Sequence, residues 1–247
     1  MLKQRFLLNQ LDNVSLEALE KMFESLATID EETWGLYEFS KDLLRNKIDK
    51  KEKMEIVIKS IECGKFWAQE MKAKIGLEMC TSKKATELAN FLGLTINERV
   101  GKPTKFRMVF AQFVSDKTIE IMIEPIENYT KLVSKSKKLP HADIVREVLI
   151  AHEIFHFIED QHKEEMYPHQ KTIKLWKLFN YEHRSTVIAA SEIAAMAFAK
   201  EICSVDFVPQ ILDILLSYPM EVEFSESIYQ SVMDGVKNLD NSINERK

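Results

Sequence analysis

The run Val148–Ile158, VLIAHEIFHFI, restricts the chain more than any other stretch. Only His152, Glu153 and His156 are polar in it; every other residue is apolar. Such a segment reads as a helix buried on most of its sides, and polar groups buried there must be paired or bound to something. His152 and His156 are four residues apart, a spacing that stacks them on one helical face. Two imidazoles so placed can reach one zinc ion at about 2.0–2.1 Å. Glu153 stands about 100° further round the helix, where it can take a proton from a water on the metal without binding the metal itself. This is the HExxH spacing.

Two imidazoles leave such an ion short of a protein ligand, and two residues compete for the place. His162 completes HExxHxxExxH, the ligand spacing of metzincins. That pattern uses a glycine to reverse the chain after the second histidine, and this chain has Glu159 there. A helix that continues instead carries His162 about 240° round from His156. Glu192 is the alternative. It is the only charged residue in the stretch from Thr186 to Ala199, TVIAASEIAAMAFA. A lone carboxylate on an apolar helix needs a partner or a metal, and the alanines around it permit close approach to the HExxH helix. The geometry favours Glu192. The expected metal ligands are therefore His152, His156 and Glu192, with Glu153 as catalytic base and Zn2+ as cofactor.

The rest of the chain sets the frame. Only 6 Gly and 6 Pro occur in 247 residues, which disfavours a turn-rich all-β fold. Helices are expected at Leu16–Leu26, about Thr33–Arg45, about Glu52–Ile75, and in KKATELANFL before Gly93, a residue type suited to the position just past a helix. The pattern then changes. Leu94–Val100, Phe106–Val114 and Lys117–Glu124 are rich in β-branched and aromatic residues and predict a small antiparallel sheet, with Ser115-Asp116 as a tight connection. Helical periodicity resumes after a lysine-rich loop, Lys131–Lys138, and Pro140. It predicts a helix from an Asp143 cap to about Asp160, another over Arg184–Ile202, and two more after Pro209 and Ser225. The fold class is α+β and mainly helical. Residues 1–80 form a helical region with no visible catalytic set, and 81–247 hold the chemistry.

The net charge of -5 and a pI near 5.8 offer no electrostatic footprint for nucleic acid or for an anionic membrane. Cys63, Cys80 and Cys203 are scattered and odd in number, which fits reduced thiols better than a disulfide framework. Neither a signal-type apolar stretch nor a membrane-length run is present, so a cytoplasmic location is expected.

IAHEIFH, followed some thirty-five residues later by SEIAAMAFAKEI, resembles the gluzincin metallopeptidases of the ImmA/IrrE type. Those carry an AHE..H helix and then a Glu in an E..A..FA helix. The upstream order is similar too, with ELANFLGL as a short helix ending in a glycine turn, then strands, then the active-site helix. The resemblance covers about Ser82–Cys203. It implies a zincin-like fold, zinc on His152, His156 and Glu192, Glu153 as base, and an intracellular regulatory peptidase acting on a protein or peptide substrate. Lys117–Glu124 is then expected to lie beside the HExxH helix and offer a strand edge to that substrate. His183, Tyr167, Tyr181 and Tyr218 are candidates for stabilising an oxyanion. The alternative from another class is a zinc-bearing interaction or sensor protein, in which a structural metal has a closed fourth position.

Overall fold

The computed structural model describes residues 14–75, 84–100, 109–114, 117–179 and 181–244. Cys80 and the Ser115-Asp116 connection lie outside them. Ten α-helices and five strands follow in chain order among the described residues: α1 (Leu16–Leu26), α2 (Glu31–Lys41), α3 (Lys50–Ile75), α4 (Lys84–Phe91), β1 (Thr95–Arg99), β2 (Ala111–Val114), β3 (Thr118–Met122), α5 (Ile123–Val133), α6 (Ala142–Gln161), α7 (Tyr167–Gln170), β4 (Thr172–Leu178), β5 (Tyr181–Thr186), α8 (Ile188–Cys203), α9 (Leu212–Ser217) and α10 (Val222–Asn244). The chain is mainly helical with small sheets, an α+β arrangement.

Local chemistry explains several helix starts. Ser15 and Asp30 accept hydrogen bonds from the backbone N–H groups of Ala18 and Thr33 and so cap α1 and α2. Gly93, at φ +70°, closes the turn after α4 without the strain that a side chain would bring. The cap of α6 is His141 rather than Asp143: its ring accepts from the Asp143 N–H, so the helix starts two residues earlier than the acidic residue suggests.

Helix α8 is apolar nearly all round and occupies the centre, packed between α3 and α6. Gly64 of α3 makes that packing close. A Cβ at Gly64 would meet the Ala194 carbonyl oxygen at 2.1 Å and the Phe198 nitrogen at 2.9 Å. One core contains Leu19, Trp34 and Trp67 from the N-terminal helices together with Ile154, Phe155, Ala194 and Phe198. Residues 14–75 thus share their interior with α6 and α8.

The main sheet has the order β1-β3-β2, and it is mixed rather than antiparallel. β1 runs parallel to β3, whereas β2 pairs with it antiparallel, Phe113 opposite Ile119. The alternation in β3 held its promise: Ile119 and Ile121 are buried. That strand is central, so it has no open edge. The strand beside α6 that lies at an edge of the sheet is β2, tied to the helix by an edge-to-face contact of Phe113 with Phe157 at 5.7 Å.

Three further expectations fail. The segment read as a loop into Lys131–Lys138 is in part the amphipathic helix α5. Its start, Ile123, continues the strand-like alternation of β3 and so disguised the change of element. Helical structure does not persist from Pro140 to the end either. β4 and β5 form an antiparallel ribbon, and α8 begins at Ile188 rather than Arg184. The mixed charges of Thr172–Thr186 conceal a ribbon that, among its described side chains, is buried at its base alone, at Ile173. No helix among the described residues is long and apolar enough to cross a membrane.

Candidate metal centre

His152 and His156 project from α6 on the face turned to α8, and Glu192 meets them from the second turn of α8. Their Nε2 atoms are 3.1 Å apart. Glu192 Oε2 is 3.4 Å from His152 Nε2, and its Oε1 is 3.9 Å from His156 Nε2. Donors placed tetrahedrally at 2.0–2.1 Å from one zinc are about 3.3 Å from one another. The three donors match that spacing, and their identity, two imidazoles and one carboxylate, suits zinc chemistry. They form the one cluster of three or more His, Cys, Asp or Glu donors found among the described residues. The side chains of His152, His156 and Glu192 are 13%, 21% and 37% exposed, so the cluster opens on the Glu192 side.

The electrostatics describe the same pocket holding a proton. Burial works to lower the pKa of His152, but the hydrogen bond to Glu192 and the charges of Glu153, Glu192 and Asp213 outweigh it and raise the value to about 9. Burial works to raise the pKa of Glu192, and His152, His156 and Lys41 together bring it down to about 2. A proton on His152 Nε2 faces the same His156 and Glu192 atoms that would share a metal. His152 Nδ1 is buried without a hydrogen-bond partner.

Glu153, one step of about 100° round the helix from His152, is 7% exposed, and its charge is felt at His152. Its Oε2 accepts a 2.6 Å hydrogen bond from the Phe113 N–H of β2. The edge strand thereby fixes the carboxylate beside His152.

His162 does not join the cluster. It caps the C-terminus of α6, stacks on Trp67 at 4.7 Å between ring centres, and faces Glu165 at 3.3 Å. No chain reversal follows His156, because the helix runs on through Glu159 to Gln161. Among the oxyanion candidates, His183 stacks on Trp176 at 5.4 Å in the ribbon. Tyr167 lies under the Lys59 ammonium, and burial, aided by Glu55 and Glu52, pushes its phenol up to about 12. Tyr218 is buried against the Ser15 backbone. The Tyr181 side chain lies outside the described residues.

Two residues of the site escaped the sequence reading. Glu159, buried at 7%, has its Oε2 3.0 Å from His156 Nδ1 and accepts from Ser191 Oγ at 2.7 Å. The i,i+3 step from His156 was a usable signal. Asp42, at the end of α2, accepts from the Ala189 N–H with Oδ2 at 2.9 Å and so caps α8 from across the chain. No local pattern announces that bond. No protein-family model, curated protein or solved structure matches the chain.

Proposed function

We propose that this chain is a zinc-dependent peptidase of zincin type, acting inside the cell on a protein or peptide substrate. The observation that carries the reading is the convergence of His152 Nε2, His156 Nε2 and Glu192 on one point at metal-ligand spacing, with Glu153 fixed beside them. The alternation of donors between two helices packed through small residues is what a rigid site needs.

His152, His156 and Glu192 would hold the ion. When bound, zinc supplies Lewis acidity, lowering the pKa of water and polarising a carbonyl. The chain's own residues do the rest. Glu153 takes a proton from water held at the opening and later hands it to the departing amine. The Phe113 N–H keeps that carboxylate aimed and limits its rotation. With three protein donors and an exposed side, the cluster leaves room for water and substrate, in contrast to the closed four-ligand set of a structural zinc. β2, at the edge of the sheet beside α6, is the strand to which an extended substrate would add.

The test compares the parent protein with Glu153→Gln. Elemental analysis should find about one zinc per chain in both. Cleavage of a peptide library or of a partner protein should be lost in the variant alone. Absence of transition metal from the parent, with no uptake of added zinc, refutes the proposal. Equal cleavage by the variant removes Glu153 from its role.

A further inference from the structure

Glu159 does more than fill the position where a metzincin turns. Three elements meet at its carboxylate. Oε2 lies 3.0 Å from His156 Nδ1 and accepts from Ser191 Oγ at 2.7 Å. Oε1 lies 3.2 Å from His169 Nε2, within ion-pair range though off the line of a hydrogen bond, and this oxygen is otherwise buried without a partner. His156 belongs to α6, His169 to α7, and Ser191 to α8, where it directly precedes Glu192. A buried carboxylate is costly unless its oxygens are satisfied, and here the satisfying groups are attached to two of the three metal ligands.

The chemistry of an imidazole gives the arrangement a consequence. A carboxylate at Nδ1 can only accept, so neutral His156 must carry its proton on Nδ1 and present a bare Nε2. Nε2 is the atom turned to His152 and Glu192. The Ser191 bond ties the same oxygen to the first turns of α8 and so limits how Glu192 can rotate about the helix axis.

Building on the zinc reading above, we infer that Glu159 is a positioning residue which sets the tautomer of His156 and aligns the two ligand helices for metal capture. Its carboxylate touches neither the metal position nor a substrate. It acts through His156 and, by way of Ser191, through the helix that bears Glu192. The glutamate that prevents a metzincin-type chain reversal is thus the group that makes the straight helix work as a ligand platform.

The experiment uses the full chain as parent, Glu159→Gln, Glu159→Ala and His169→Gln. Two quantities are read: affinity for Zn2+ by chelator competition, and the tautomer of His156 in the metal-free protein by two-bond 1H–15N correlation at a pH where the ring is neutral. Loss of such an outer partner lowers metal affinity about 10–100-fold, and that is the expected loss for Glu159→Ala. Glu159→Gln keeps an acceptor oxygen and should recover most of the affinity, while His169→Gln should stay within about threefold of the parent. The His156 proton should sit on Nδ1 in the parent and in Glu159→Gln, and move to Nε2 in Glu159→Ala. A carboxylate that served only the stability of α7 and α8 would leave the tautomer unchanged. Parent-like affinity and tautomer in Glu159→Ala overturn the inference while the zinc reading stands. A parent that binds no zinc overturns the zinc reading, and the tautomer still decides the role of Glu159. Should the alanine variant fail to fold, a His156 proton on Nε2 in the parent or in Glu159→Gln overturns the inference by itself.

Discussion

Gly64→Ala tests whether the α3–α8 contact governs the metal centre. The added methyl has nowhere to go. Its position lies 2.1 Å from the Ala194 carbonyl oxygen and 2.9 Å from the Phe198 nitrogen, both backbone atoms that cannot swing aside. Carbon contacts settle at about 3.5–4.0 Å, so α3 and α8 must part by more than about 1 Å along that line. Overpacking of a close interior contact costs about 1–3 kcal/mol, and backbone on both sides puts this substitution at about 3 kcal/mol. For a chain of this length that lowers the melting midpoint by about 6–12 °C. Ala194 follows Glu192 by two residues, so the displacement is felt at Glu192. Zinc affinity should fall as well, about tenfold, in the range of disturbed outer-shell contacts. Thermal unfolding of the metal-free protein and chelator competition measure the two effects. If Gly64→Ala melts within 2 °C of the parent, the close approach of α3 to α8 is wrong and the N-terminal helices do not set the ligand geometry.

Two other outcomes are expected. Because His152 is raised to about 9 and Glu192 lowered to about 2, the metal-free site at pH 7 holds a proton on His152 that zinc must displace. Calorimetry in buffers of different ionisation enthalpy should therefore show close to one proton released per zinc, with affinity climbing until about pH 9; pH-independent affinity refutes it. The stability that the charged His152–Glu192 pair gives the metal-free protein is fully present between the ordinary glutamate and histidine values, 4.5 and 6.5, and is lost as pH rises through about 9 or falls through about 2. Asp42→Ala removes both the cap on the Ala189 N–H and the 2.6 Å bond from the Leu44 N–H, and should cost about 1–2 kcal/mol in denaturant unfolding, where Asp42→Asn should cost less. An alanine variant as stable as the parent would show that α8 needs no such cap.

The candidate centre was legible because its requirements are local. The spacing of His152 and His156 is a helix property, and Glu192 betrays itself as a charge with no apolar excuse on an alanine-rich helix. The choice of Glu192 over His162 rested on the missing glycine at position 159, and the structure brings Glu192 and not His162 to the cluster. The topology of the sheet was not legible in this way. Whether β3 lies between β1 and β2, and which neighbour runs parallel to it, depends on connections and packing that no periodicity encodes. The ribbon β4–β5 was missed because its residues are mostly exposed. With Ile173 alone buried among its described side chains, it carries too little apolar alternation to announce itself.

Burial explains why the N-terminal residues read as chemically empty yet matter to the site. A helix that is to present a carboxylate to the candidate centre must be held against rotation and sliding, and α8, apolar on nearly every side, has few polar anchors of its own. The anchors come from elsewhere. Asp42 fixes its start from the end of α2, Glu159 holds Ser191 from α6, and Gly64 admits it to contact with α3 at backbone distance. Each anchor pairs residues separated by more than thirty positions, so each looks incidental along the chain: an ordinary aspartate, a glutamate in the last turn of a helix, and one of only 6 glycines. What joins them is that all three act on the same six residues, Ala189 to Ala194, with Glu192 inside that span. A carboxylate carried by an otherwise apolar helix is only as well placed as that span, and the span around Glu192 is held from three directions.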